Sequence, residues 1–132
     1  MDWVTICWAA IGSICLTGGL LSTLVWVRDR QSWPHFWFAV AAFSVTAIGV
    51  AELSIMNASS PAAAAFVQRW AHVPVFFYVV GLVWFTYTYL GSGARWFAWL
   101  VVAARVLVLI INFSGTGSVN FVEVTGLVPF EL

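Results

Sequence analysis

Apolar residues run through this chain in four long blocks, and polar residues collect in the short breaks between them. The blocks are roughly Trp3 to Val27, Phe36 to Met56, Ala62 to Leu90 and Trp96 to Phe113. Each is close to the length of about 20 residues that a helix needs to cross a hydrocarbon layer. The breaks carry Pro34, Asn57, Pro61, Gly91 and Gly93, residue types that punctuate helices. A spanning helix satisfies its own backbone hydrogen bonds, and no block alternates as a membrane barrel strand does. The pattern predicts an all-α polytopic membrane protein, a four-transmembrane-helix bundle over 1–113 with spans 3–27, 36–56, 62–90 and 96–113. A short extracytoplasmic segment follows over 114–132. In it, Ser114 to Ser118 reads as a turn and Val119 to Thr125 as a short strand or a loop lying on the bundle.

Composition sharpens this picture. The chain is 63% hydrophobic and 8% charged with zero net charge, so the lipid bilayer is the expected partner and nucleic acid is not. It contains no lysine, which removes a Schiff base and with it retinal chemistry of the usual kind. Met1-Asp2-Trp3 lacks the basic start of a cleavable signal, so the first span is expected to be retained. Cys7 and Cys15 are eight residues apart. On one helix that is a rise of about 12 Å, too far for a disulfide between them.

Basic residues orient the spans. Arg28 and Arg30 lie in the first break and Arg95 at the third, whereas the second break has none. The positive-inside rule places the first and third breaks in the cytoplasm, with the N-terminus, the second break and the tail outside. Trp26, Trp33, Trp37, Trp96 and Trp99 then fall near the inner interface, and Trp3, Trp8 and Trp70 near the outer one, as aromatic belts do. The expected location is a membrane crossed four times.

Ionisable residues inside such spans are costly, about 2.5–3.5 kcal/mol for a central arginine, and mark site candidates. Glu52, Arg69, His72 and Arg105 all fall in the outer half. Arg69 and His72, three apart, share one helix face, and Arg105 and Asn112, seven apart, share another. These five are the expected ligand-binding or switch residues. Glu52 is expected to pair with Arg105 or Arg69. Three readings stay open: a buried ion pair that fixes register, a pocket for an anionic or polar small molecule, and a proton switch on His72. Pro74 deprives the Trp70 carbonyl of its donor, so it is the expected hinge, opening a cavity or merely bending the span.

No catalytic residue, cofactor or metal site is expected. His35 and His72 lie at opposite ends of their spans, and no spacing resembles a zinc or iron–sulfur set. Gly12, Ser13, Thr17, Gly18, Gly19 and Ser22 form a small-residue stripe, suited to intrachain packing or to a homodimer seam. Tyr78, Trp84, Tyr87 and Tyr89 are expected to pack.

The ordered series Met1-Asp2-Trp3-Val4-Thr5, Ala51-Glu52-Leu53, Arg69-Trp70-Ala71-His72-Val73-Pro74 and Tyr89-Leu90 continues with Arg95-Trp96-Phe97-Ala98-Trp99-Leu100 and Ala104-Arg105-Val106-Leu107. It ends with Ile111-Asn112-Phe113 and Asn120-Phe121-Val122-Glu123-Val124-Thr125-Gly126-Leu127. In these the chain resembles the N-terminal multi-span sensor region of bacterial membrane histidine kinases that carry PAS modules. The resemblance implies a signal-input module of a two-component-type receptor, with the polar cluster and the Asn120–Leu127 segment as its input surface. Such proteins continue into further spans and a cytoplasmic kinase, so the native chain is expected to extend past Leu132, and any kinase activity would lie there. His35 and His72 are not expected phosphoacceptors. The alternative is a small accessory subunit of a larger membrane complex. A homodimer or larger assembly and a small-molecule ligand stay open as partners.

Overall fold

The computed structural model describes residues 3–91 and 93–115. The expected turn, strand or loop over 116–132 lies outside the described residues. Four antiparallel helices follow one another: α1 (Trp3–Arg28), α2 (Trp33–Met56), α3 (Pro61–Leu90) and α4 (Arg95–Ser114). All four are long and apolar enough to cross a membrane, and the chain reads as a multi-pass membrane protein on that ground.

Local chemistry sets the helix ends. The α1–α2 turn is closed by Asp29, whose carboxylate accepts from Gln31 N at 3.1 Å and whose carbonyl accepts from Ser32 N at 3.0 Å. α2 begins at Trp33 rather than Phe36, because a proline in the first turn removes only an N–H that has no partner in the helix. Ser60 caps α3, its hydroxyl accepting from Ala63 N at 3.2 Å, with Pro61 opening the helix. Gly91, at φ 58°, ends α3 in the left-handed conformation that favours glycine.

Small residues make the core. The buried apolar residues are Ala39, Ala42, Ala64 and Ala98, with Ser22, Ser44 and Asn112 beside them. Bulky side chains such as Ile14, Leu24, Phe66 and Leu107 point outward. Hydrocarbon solvates leucine as well as a protein interior does, so close backbone approach rather than apolar burial holds such helices together. Gly12, Gly18, Gly19 and Ser22 of the α1 stripe face α2, which realises the intrachain use of that stripe. Thr46 Oγ donates across the same seam to Gly12 O at 3.2 Å. Ser13 and Thr17 are exposed and bond back to the carbonyls of Ala9 and Ser13 on their own helix. At Gly19 an added methyl would lie 2.9 Å from the edge of the Phe43 ring, a side chain on the exposed side of α2. Gly19→Ala is expected to lower stability in detergent by less than about 1 kcal/mol. A thermal scan showing a loss above about 2 kcal/mol would mean that the ring is pinned.

The helices do not close into the expected bundle. Among the described residues α1 packs only on α2, α2 on α1 and α3, and α4 only on α3. The result is an open row in chain order. The glycines that permit close approach lie along the α1–α2 and α2–α3 seams, and α4 contains none. Ring contacts tie one end of the row together. They run from Trp26 on α1 to Phe36 and Trp37 on α2, Trp84 on α3 and Trp99 on α4, with centroid separations of 4.9, 5.0, 5.8 and 5.5 Å. Arg30 covers the Trp26 ring at 4.1 Å. Trp84 is the hub of this chain.

Candidate functional site

At the opposite end of the row, α3 outlasts α4. α3 has 30 residues and α4 has 20. Helical rise makes α3 about 15 Å longer, so α4 ends two turns short of the α3 start, beside Arg69. The last carbonyls of a helix have no partner within it. Arg69 supplies one: its Nη2 donates to Phe113 O at 2.8 Å and to Gly115 O at 3.0 Å. Its guanidinium also lies 5.3 Å from the centre of the Phe113 ring. A cation at a helix C-terminus complements the negative end of the macrodipole.

Asn112 returns the connection. Its Nδ2 donates to Arg69 O at 2.9 Å, and the residue is 0% exposed. That carbonyl neighbours the Trp70 carbonyl, which Pro74 leaves without its usual donor. Trp70 seals the seam with its ring edge-on to Phe113 at 5.3 Å. Arg69 and Asn112 thus form a reciprocal clamp between α3 and the end of α4. The pairing of Arg105 with Asn112 on one face of α4 pointed to this seam, but the carbonyl partners Phe113 and Gly115 were not foreseen. The only sequence signal for them is Ser114-Gly115 ending the fourth apolar block next to Asn112.

The other expected site residues stand apart. Among the described residues Glu52 makes no ion pair with Arg69 or Arg105. α2 does not touch α4, and the Arg69 guanidinium is turned onto the α4 carbonyls. The expected ion pair is therefore absent here, and its place as partner of Arg69 is taken by backbone oxygen. A double-mutant cycle between Glu52→Gln and Arg105→Met is expected to be additive within about 0.5 kcal/mol. A coupling above about 1 kcal/mol would restore the pair.

Arg105 lies within electrostatic reach of His72. His72 Nε2 and Arg69 Nε are both buried without a hydrogen-bond partner. The cavity expected at Pro74 exists as an open groove of about 430 Å³ between α2 and α3, lined by Val40, Phe43, Ser44, Ala47, Val73, Pro74 and Phe77. None of the five polar site residues lines it, and the Ser44 hydroxyl is committed to Val40 O at 2.6 Å. Pro74 thus separates an apolar groove from a polar clamp.

This arrangement holds the end of α4 against α3, with the Nε of Arg69 and the Nε2 of His72 buried beside the seam. No family model, curated protein or solved structure matches the chain.

Proposed function

We propose that this chain is a membrane-embedded signal-input module of a bacterial two-component-type receptor, itself without enzymatic activity. It senses a small molecule, a lipid or a proton at the polar end of the α3–α4 seam. The reading sets the module in a bacterial inner membrane with the N-terminus and the tail outside. The observation that carries it is the Arg69–Asn112 clamp, which lies five residues before Pro74 on α3 and holds the end of α4, a helix that among the described residues packs on α3 alone. A ligand that competes for the Arg69 donors, or a change of charge on His72, shifts the balance between clamped and released α4, with Pro74 as hinge. Glu52 and Arg105 set the field around the clamp.

Spin labels at the exposed positions Ser54 on α2 and Ile111 on α4, with Cys7 and Cys15 replaced by serine, would read this balance in lipid nanodiscs. Two distance populations are expected. Their ratio should change with Arg69→Met, and with acidification sufficient to charge His72. A single population that ignores both changes would sink the reading.

One observation favours the alternative of an accessory subunit in a larger complex. α1 and α4 each leave an apolar face uncovered at the two ends of the row. Purification in a mild detergent as a stable assembly with fixed stoichiometry would favour it over a sensor.

A further inference from the structure

Arg105 is the eleventh of the 20 residues of α4. In a membrane-crossing helix the middle is the most costly depth for a charge. Arg105 stands seven residues after Ala98 and seven before Asn112, both buried, so it shares their α3-facing side and is itself half-buried. The ring contact of Trp84 with Trp99 and the bond from Asn112 to Arg69 O fix the register of this seam. They set Arg105 opposite Phe77, with His72 five residues and Arg69 eight residues nearer the clamp. The offset to His72 is about 7 Å along the axis, and Arg105 acts on His72 electrostatically across it.

Donors outnumber acceptors along this line. Arg69 Nη2 is committed to the carbonyls of Phe113 and Gly115, but Arg69 Nε is buried without a partner, and so is His72 Nε2. Among the described residues no hydrogen bond or ion pair holds the Arg105 guanidinium. Glu52 is the only acidic residue inside a described helix, and it lies on α2, which does not pack on α4. Two cations and an imidazole thus share one seam to which the described residues bring no carboxylate. A buried charge is tolerated when an opposite charge and hydrogen bonds meet it. Size then narrows the chemistry. The two described grooves, at Pro74 and at the α3–α4 turn, are lined by none of Arg69, His72 and Arg105, so what meets these donors is an ion of atomic dimensions rather than an organic ligand.

We propose that the α3–α4 seam binds one halide-sized monovalent anion, such as chloride, between the Arg105 guanidinium and His72 Nε2, with Arg69 Nε on the side toward the clamp. A neutral imidazole donates through Nε2–H, and the guanidinium adds charge-assisted donors, so the ion is held without a change of protonation. It ties α3 to α4 at a second level, below the Arg69–Asn112 bonds. As the ligand of an input module the anion rests on the signal-input reading, whereas its binding does not.

The test uses the full chain in nanodiscs of zwitterionic lipid, prepared in gluconate and titrated with chloride at constant ionic strength. Broadening of the chloride magnetic resonance reads binding. Saturable broadening is expected, reversed by bromide and not by sulfate. Arg105→Met and His72→Leu should each weaken binding at least about tenfold, and Arg105→Lys by less. Chloride should raise the unfolding midpoint of the unaltered protein and leave that of Arg105→Met where it is. The unaltered protein and His72→Leu decide the matter if Arg105→Met does not fold. Absence of saturable broadening overturns the proposal. Broadening that survives both variants overturns it in favour of the exposed Arg28, Arg30 and Arg95. Acetate that displaces chloride more tightly than bromide does overturns it in favour of an organic carboxylate. Halide binding that emerges only in Glu123→Gln with Glu131→Gln overturns it in favour of a carboxylate of the chain itself. Saturable binding that leaves the spin-label distances unchanged supports the ion and sinks the signal-input reading, and the reverse result sinks the ion alone.

Discussion

Arg69→Met is expected to lower the unfolding free energy by about 3 kcal/mol and to loosen α4 before any other helix. Methionine keeps much of the apolar bulk and removes every donor. Two charge-assisted bonds then disappear, at 2.8 Å to Phe113 O and 3.0 Å to Gly115 O, together with the contact over the Phe113 ring. The two carbonyls are left without that partner at the end of a helix that, among the described residues, packs on α3 alone. Arg69→Lys should recover about half of the loss, because an ammonium restores the charge but not the flat set of donors. The measurement is denaturation in bicelles together with amide exchange resolved by helix. Asn112→Leu removes the return bond to Arg69 O. In combination with Arg69→Met it should show a coupling above about 0.5 kcal/mol, because both residues hold the same two helices. Unchanged exchange in α4 after Arg69→Met would show that the clamp does not hold that helix.

Gly81→Val should be more damaging still, because what stands in its way is main chain. A Cβ at Gly81 would lie 2.9 Å from Ala41 N, 3.1 Å from Trp37 O and 3.2 Å from Ala41 Cβ. Unlike the Phe43 ring at Gly19, these atoms cannot rotate aside, so α2 and α3 must separate along their seam. Gly81→Ala is expected to cost about 1–3 kcal/mol, and the branched valine more. Ala41→Gly should rescue Gly81→Ala only in part, since it clears the methyl and leaves the backbone contacts. The Trp37–Trp84 stack, with centroids 5.8 Å apart, lies one turn away and supplies a near-ultraviolet dichroism signal for the separation. Full stability of Gly81→Val would show that the helices cross more loosely at this point.

The four helices were legible because lipid demands long apolar runs, and Pro34, Asn57, Pro61 and Gly91 mark the breaks. Their ends fell within three residues of expectation, the largest difference being the start of α2 at Trp33. The arrangement was not legible. Hydrophobic periodicity names a buried face only when water surrounds the molecule, and here leucine or phenylalanine points outward on every helix. Gly12, Gly18, Gly19 and Ser22 did mark a packing face, because small size rather than polarity marks a contact in lipid, but the stripe did not say whether α2 or a second copy meets it. Gly81 carried the same signal in isolation and was overlooked among larger neighbours. The cost of burying Arg69 was also visible, but cost alone does not name a partner. A carboxylate was the obvious guess. Helix-end carbonyls became available only because α4 is shorter than α3 and stops beside Arg69, a length relation invisible until the two are packed.

A row in chain order has the connectivity of a one-dimensional lattice. Among the described residues each helix packs on its chain neighbours alone, so their free energy is nearly a sum of three seam terms, with no second route among them to carry a load around a broken seam. Opening the α2–α3 seam would therefore divide the molecule into two hairpins rather than merely weaken it. The α3–α4 seam is the sparsest of the three, so α4 should leave first and alone. Unfolding of this kind is sequential, and a single midpoint would describe it only where all three seams happen to fail together.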